Sequence, residues 1–111
     1  MLYICNAFSL NMLGGLQEAI LKIKKIDTEE VKKMIIENKN ELISAIGHLT
    51  TSQILSTMLN REIPMNRIAV SLREGDKAII FQIRVRLEEG QVLSPEQIKE
   101  LPYEFYVIEL Q

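Results

Sequence analysis

Lys77-Ala78-Ile79-Ile80-Phe81-Gln82-Ile83-Arg84-Val85-Arg86-Leu87 is the stretch on which the fold turns. Ile79, Phe81, Ile83, Val85 and Leu87 are apolar at every second position. Side chains alternate across an extended chain, so these residues share one face of a strand, and Gln82, Arg84 and Arg86 share the other. A period of two over this length predicts a strand with one buried side.

Working outward, Glu74-Gly75-Asp76 has the composition of a tight hairpin turn. Before it, Arg67–Leu72 reads as a strand with Ile68, Val70 and Leu72 facing one way. After it, Ser94-Pro95-Glu96-Gln97 starts a short helix with a cap and a first-turn proline. Pro102 ends that helix, and residues 103–110 (YEFYVIEL) form a last strand. Towards the start of the chain, Thr50 to Gln53 has the Thr-x-x-Gln form of a capping box. It introduces a helix with Ile54, Leu55, Met58 and Leu59 on one side. Residues 41–47 (ELISAIG) precede it as a strand. Asp27-Thr28-Glu29-Glu30 opens an earlier helix, striped by Val31, Met34 and Ile35 and ended around Asn38–Asn40. Residues 17–26 (QEAILKIKKI) fit both periods and are read as a strand; residues 2–8 (LYICNAF) are the first strand. Strands mixed with helices in this order predict an α/β (α+β) fold, a mixed sheet of about five strands layered with helices.

The 111 residues suit one domain, 1–111. With 47 % hydrophobic and 25 % charged residues, the chain has the makings of a packed core. A chain this short has little surface to spare for a deep pocket, so a large ligand is most simply held between two copies. The net charge of −2 argues against a general binder of polyanions, so any anion must meet a local cluster of Arg and Lys. The single Cys5, set in an apolar run, makes no internal disulfide and reads as buried packing in a reduced setting. No apolar run approaches the roughly 18–20 residues of a membrane span. The start, MLYICNAFSLNMLGG, lacks a basic region and reads as strand and loop rather than signal peptide. The expected location is the cytoplasm.

The residues that could carry chemistry are few. One His, one Cys and scattered carboxylates give no metal-ligand spacing. No phosphate-binding Gly loop and no Gly-x-Gly-x-x-Gly is present, so no cofactor is expected. His48, the only histidine, stands in Ser44-Ala45-Ile46-Gly47-His48-Leu49-Thr50-Thr51-Ser52-Gln53, two residues before the expected helix cap. A helix start carries partial positive charge and suits an anion, and Thr50, Thr51 and Ser52 add short donors. A histidine there could protonate an oxygen leaving phosphorus; the plainer reading of the residues alone is a structural histidine bonding the backbone at a loop. Gln82, Arg84 and Arg86 suit phosphate clamping or an ordinary solvated face. Asn6, Ser9 and Asn11 are turn formers or ligand contacts.

Taken together, Asn6-Ala7-Phe8-Ser9-Leu10-Asn11-Met12-Leu13, Ser44-Ala45-Ile46-Gly47-His48 and Arg86-Leu87-Glu88-Glu89-Gly90 resemble the viral ring nuclease family that acts as a type III anti-CRISPR, with cellular relatives. The resemblance covers nearly the whole chain, in order. It implies a homodimer that binds cyclic tetra-adenylate at its interface and cuts it, without a metal, to linear di-adenylate with 2′,3′-cyclic phosphate ends. It implies that His48 is the general acid and that Glu89 and Arg86 match the family's glutamate and arginine. It further implies that Asn6, Ser9, Asn11, Gln82 and Arg67 contact the ligand, as do Thr50 and Thr51. Relatives often carry serine after the histidine region where this chain has Thr50.

Two rivals stand beside that expectation. One is a sponge or sensor that holds a cyclic oligoadenylate uncut and tolerates loss of His48. The other is a DNA- or protein-binding regulator using the Gln82/Arg84/Arg86 face; the net charge argues against its binding to duplex nucleic acid.

Overall fold

The computed structural model describes residues 1–38, 40–88 and 91–111. Its elements are β1 (Leu2–Cys5), β2 (Leu21–Ile26), α1 (Thr28–Glu37), β3 (Leu42–Ala45), α2 (Leu49–Met58), β4 (Lys77–Ile83), α3 (Pro95–Lys99) and β5 (Tyr103–Leu110). A turn of 3-10 helix, Leu10–Leu13, follows β1. Among the described residues the five strands form one sheet in the order β2-β5-β4-β1-β3, with β4 at its centre. β1 runs parallel to β3 and β4, and β5 runs antiparallel to β4 and β2. This is the expected mixed-sheet α+β domain.

The alternation seen in the sequence sorts the two faces. Ile79 and Phe81 of β4, Leu2 and Ile4 of β1 and Phe105 of β5 point to the side covered by the helices. There they meet Val31 and Ile35 of α1, Ile54 and Leu55 of α2 and Ile98 of α3 in the main core. Phe81 stacks at tilted angles on Phe105 (ring centroids 5.1 Å apart) and Tyr103 (5.9 Å). The opposite face, with Cys5, Ala78, Ile80, Ile108 and Leu110, is covered by Met12 and Leu72. That cover is thin, and Ile23 of the edge strand is 59 % exposed.

These expectations need correcting. β4 stops at Ile83, not Leu87. Its neighbour β1 ends opposite Ile80, and its other neighbour β5 begins with Tyr103 opposite Ile83. The residue before Tyr103 is Pro102, whose nitrogen has no hydrogen to give, and its carbonyl makes the last bond, from Arg84 N at 2.9 Å. With no ladder beyond, the chain bends at Arg84 and Val85, and the shared face of Gln82, Arg84 and Arg86 is lost. Arg67–Leu72 is not a strand: the segment starts with a tight turn, Ile68 N donating to the Asn66 carbonyl at 3.1 Å. Leu72 N donates to the Met12 carbonyl at 2.8 Å, so the segment lies over the sheet with the 3-10 turn rather than joining it. Glu74 and Gly75 (φ +88) do turn the chain, with Asp76 N donating to the Arg73 carbonyl, but into β4 alone. Finally, α2 starts two residues early: its N-cap is His48, so Thr50 lies inside the first turn and the Thr50–Gln53 capping box does not form.

Asp27 and Ser94 cap α1 and α3 as their sequence predicts, accepting from the backbone N–H of Glu30 (2.8 Å) and Gln97 (3.2 Å). The long stretch after α2 is tied down mainly by polar side chains. Ser44 Oγ donates to the Pro64 carbonyl, Ser52 Oγ to that of Ile63, and Asn66 Nδ2 to that of Ser44. Asn66 N donates to the Ile46 carbonyl at 2.8 Å, so this stretch runs beside the end of edge strand β3, where Asn66 takes up the carbonyls of Ser44 and Ile46.

Candidate functional site

The three mutually parallel strands deliver their carboxyl ends to one edge of the sheet. β1 runs out into Asn6, β3 into Ile46-Gly47-His48, and β4 into Arg84-Val85-Arg86. In open sheets with parallel strands, ligands bind in the crevice outside the strand carboxyl ends. A cleft of about 790 Å³ lies there. Asn6, His48, Thr50, Thr51, Arg86 and Glu88 supply its polar lining, and Phe81, Ile83, Val85 and Leu87 its apolar wall.

His48 is exposed and extended (φ −132, ψ 133), and its carbonyl accepts the Ser52 N–H at 3.0 Å to begin α2. The positive end of a ten-residue helix therefore faces the same cleft as the imidazole. Thr50 is buried, and its Oγ1 donates to the Glu88 carbonyl at 3.2 Å, tying the segment that follows β4 to α2. Arg86 reaches the cleft from that segment. Arg84 does not: its guanidinium pairs with Glu104, which also accepts from the Tyr106 hydroxyl at 2.7 Å. The Tyr106 hydroxyl, then burial opposing it, then Arg84 and Lys25 act on Glu104, and its pKa falls below the usual carboxylate value. Tyr106 is raised in turn, chiefly by the same hydrogen bond.

Asn6, His48, Thr50, Thr51 and Arg86 are thus brought together at one cleft. Arg67 stands one residue away: its Nε donates to the Gly47 carbonyl at 2.7 Å. Gln82 lines an adjoining cavity of about 430 Å³ with Phe8, Ile23, Ile80, Tyr106 and Ile108, joined to the first through Asn6. Ser9 and Asn11 line neither cavity; Ser9 begins the 3-10 turn, where its carbonyl accepts the Met12 N–H at 3.0 Å. Glu89 lies outside the described residues. Glu88 and the apolar wall were not foreseen as part of the site. Phe81 and Ile83 carried a signal, being the apolar phase of the strand that leads to Arg86.

Among the described residues no group of three or more His, Cys, Asp or Glu is arranged to hold a metal ion. Burial pushes the Cys5 thiol up to about 12, which keeps it protonated. No described helix is long and apolar enough to cross a membrane.

The model of the STIV B116-like family matches residues 2–105. An uncharacterised protein of Sulfolobus islandicus filamentous virus is 37 % identical over 111 residues, covering 99 % of this chain and 92 % of the relative. An uncharacterised protein of Acidianus two-tailed virus is 34 % identical, covering 83 % of this chain and 80 % of its own. Among solved structures, B116 of Sulfolobus turreted icosahedral virus superposes with a TM-score of 0.87 at 35 % identity, covering 97 % of each chain.

Proposed function

The chain belongs to the STIV B116-like family, a family with members in archaeal viruses, and we propose that it is a metal-independent ring nuclease acting on cyclic tetra-adenylate. The observation that carries this reading is the meeting of His48, Arg86, Thr51 and the start of α2 in one cleft at the strand carboxyl ends.

In RNA the nucleophile is already in the substrate. The ribose 2′-oxygen attacks its own phosphorus, a 2′-O–P bond forms, the P–O5′ bond breaks, and the 2′-hydroxyl proton passes to solvent. The protein must align the 2′-oxygen with the leaving oxygen, stabilise the charge on the phosphorane, and supply one proton. Alignment falls to the cleft walls. Charge falls to Arg86, whose guanidinium pairs with two phosphate oxygens, and to the helix start. The proton for the departing 5′-oxygen comes from His48, a role worth roughly 10²–10⁴-fold in rate. The products are linear di-adenylates with 2′,3′-cyclic phosphate ends.

A cleft of about 790 Å³ suits a ligand of drug size, and a ring of four nucleotides is larger. A two-fold dimer would join two such clefts around a ring whose symmetry contains the same axis, giving two acids for two opposite cuts. Acting in the host cytoplasm, the enzyme would remove the messenger that type III CRISPR complexes make and silence their signalling.

Incubation with cyclic tetra-adenylate and EDTA, followed by chromatography, tests this. Linear di-adenylate from the unchanged chain and almost none from His48→Ala is the expected result. A ring that stays intact yet co-elutes with the protein would mean a sponge or sensor instead, and one that neither binds nor breaks would defeat the reading altogether.

A further inference from the structure

The residue before His48 is glycine, the residue with the most backbone freedom, yet the acid of the proposed reaction must be held to a fraction of an ångström. Both peptide units around Gly47 are bound by groups remote in sequence. The unit joining Ile46 to Gly47 has its carbonyl bonded by Asn66 N at 2.8 Å and its N–H by Asn6 Oδ1 at 2.9 Å. The unit joining Gly47 to His48 has its carbonyl bonded by Arg67 Nε at 2.7 Å. A Cβ placed on Gly47 would sit 3.8 Å from Asn6 Oδ1 and 3.9 Å from Arg67 Cγ, so both side chains close on the glycine at ordinary contact distance.

We infer that Asn6 and Arg67 are positioning residues: they clamp the Gly47 backbone and through it set the place of His48. The inference rests on His48 being the acid of the ring nuclease reaction. Only the carbonyl oxygen of a carboxamide can accept an N–H, so the Gly47 bond fixes which way round the Asn6 amide lies. It commits the Asn6 oxygen to the backbone, whatever its NH₂ group does at the cleft. Arg67 likewise spends its Nε on a carbonyl, where a phosphate would otherwise compete. Because the clamp grips backbone, it asks for an acceptor at position 6 and a donor at position 67, not for particular side-chain shapes.

Asn6→Asp separates positioning from ligand binding. Aspartate keeps an acceptor for the Gly47 N–H but replaces the NH₂ donor by a negative oxygen facing an anionic ring. Single-turnover cleavage at saturating cyclic tetra-adenylate should fall on the order of 10–100-fold in Asn6→Ala. Asn6→Asp should recover most of that rate while needing more ring to saturate. Arg67→Lys should likewise recover what Arg67→Met loses. If Asn6→Asp at saturation is as slow as Asn6→Ala, Asn6 works through its NH₂ on the ligand, and the inference is wrong. Amide hydrogen exchange of Gly47 in the ligand-free protein is the second readout and does not depend on activity. Protection lost in Asn6→Ala and kept in Asn6→Asp supports the clamp even if the unchanged chain cuts no ring, in which case it is the nuclease reading that fails. Protection unaltered in Asn6→Ala overturns the clamp whatever the activity.

Discussion

Replacing Ser52 with alanine should weaken the hold on the segment that carries Asn66 and Arg67. Ser52 is buried in α2, and its Oγ donates to the Ile63 carbonyl at 2.6 Å. One turn on, Ser56 Oγ accepts the Ile63 N–H at 2.9 Å and donates to the Ser52 carbonyl at 2.8 Å. Ile63 itself is 1 % exposed, so its carbonyl has little water to turn to. Leaving a buried acceptor unsatisfied costs about 1–3 kcal/mol. Ser56 Oγ, already 3.3 Å from that carbonyl, can take up part of the loss, which favours the middle of the range, about 2 kcal/mol. Alanine is the better helix former and returns roughly 0.5 kcal/mol. The net expectation is about 1.5 kcal/mol, a fall in Tm of roughly 6 °C for a domain of this size. Urea unfolding should show a lower midpoint with an unchanged slope. Thr57→Ala, exposed on the same helix, measures the propensity gain alone and should be neutral or slightly stabilising. A Ser52→Ala protein no less stable than Thr57→Ala would refute the argument that side-chain hydrogen bonds, rather than apolar packing of Ile63, seat this segment.

Gly14→Ala meets two obstacles: φ is +64, and the new methyl would sit 2.8 Å from Ser71 Oγ. The left-handed backbone alone costs about 1–2 kcal/mol for a non-glycine residue, so Ser71→Gly added to it should restore only part of the urea midpoint. With its thiol pushed up to about 12, Cys5 should react with iodoacetamide at pH 8 far more slowly in the native protein than in urea; equal rates would mean that the strand carrying it opens readily. Glu104 has a lowered pKa and Tyr106 a raised one. The stabilisation from Glu104 is therefore present above its unfolded pKa of about 4.3 and lost as pH falls through the lowered native value. That from Tyr106 is present below about 10 and lost as pH rises through the raised value. The Tm difference between the unchanged chain and Tyr106→Phe should be flat from about pH 5 to 9 and shrink on either side; a difference that keeps growing in acid would be inconsistent with this pair.

Local patterns foretold the elements where one local cause decides them. β5, α1 and α3 needed only a β-prone run after Pro102, an Asp cap and a Ser-Pro start, all within a few residues. Arg67–Leu72 had a true alternation, but alternation reports a buried side and not a partner. Leu72 is buried by lying across the second face of the sheet, and no neighbouring strand was available to give the segment a ladder. The length of β4 was hidden for the same reason. Val85 and Leu87 continue its pattern, yet the strand ends where Pro102, almost twenty positions later, deprives it of a donor. At α2 the Thr50–Gln53 pattern offered a capping box that the helix does not use: the helix starts after His48, so Thr50 falls inside the first turn, where its Oγ1 donates to the Glu88 carbonyl.

The site shows how sequence patterns and topology divide the work. Residue types singled out the histidine, the arginine and the helix start, but strand direction decides whether they meet. β1, β3 and β4 are parallel and adjacent, so Asn6, His48 and Arg86, each lying a few residues past a strand end, emerge on one edge. Had β4 run the other way, Arg86 would lie at the opposite edge from His48, with the same local sequence. The antiparallel β5 completes the arrangement from the other side: Pro102 ends the ladder and frees the chain to bend, and Glu104 takes Arg84. Of the two arginines, the bend leaves Arg86 for the cleft. A single strand end thus sorts two like residues, one paired with Glu104 and one lining the cleft, which no reading of the Arg84-Val85-Arg86 pattern as a continuing strand could do.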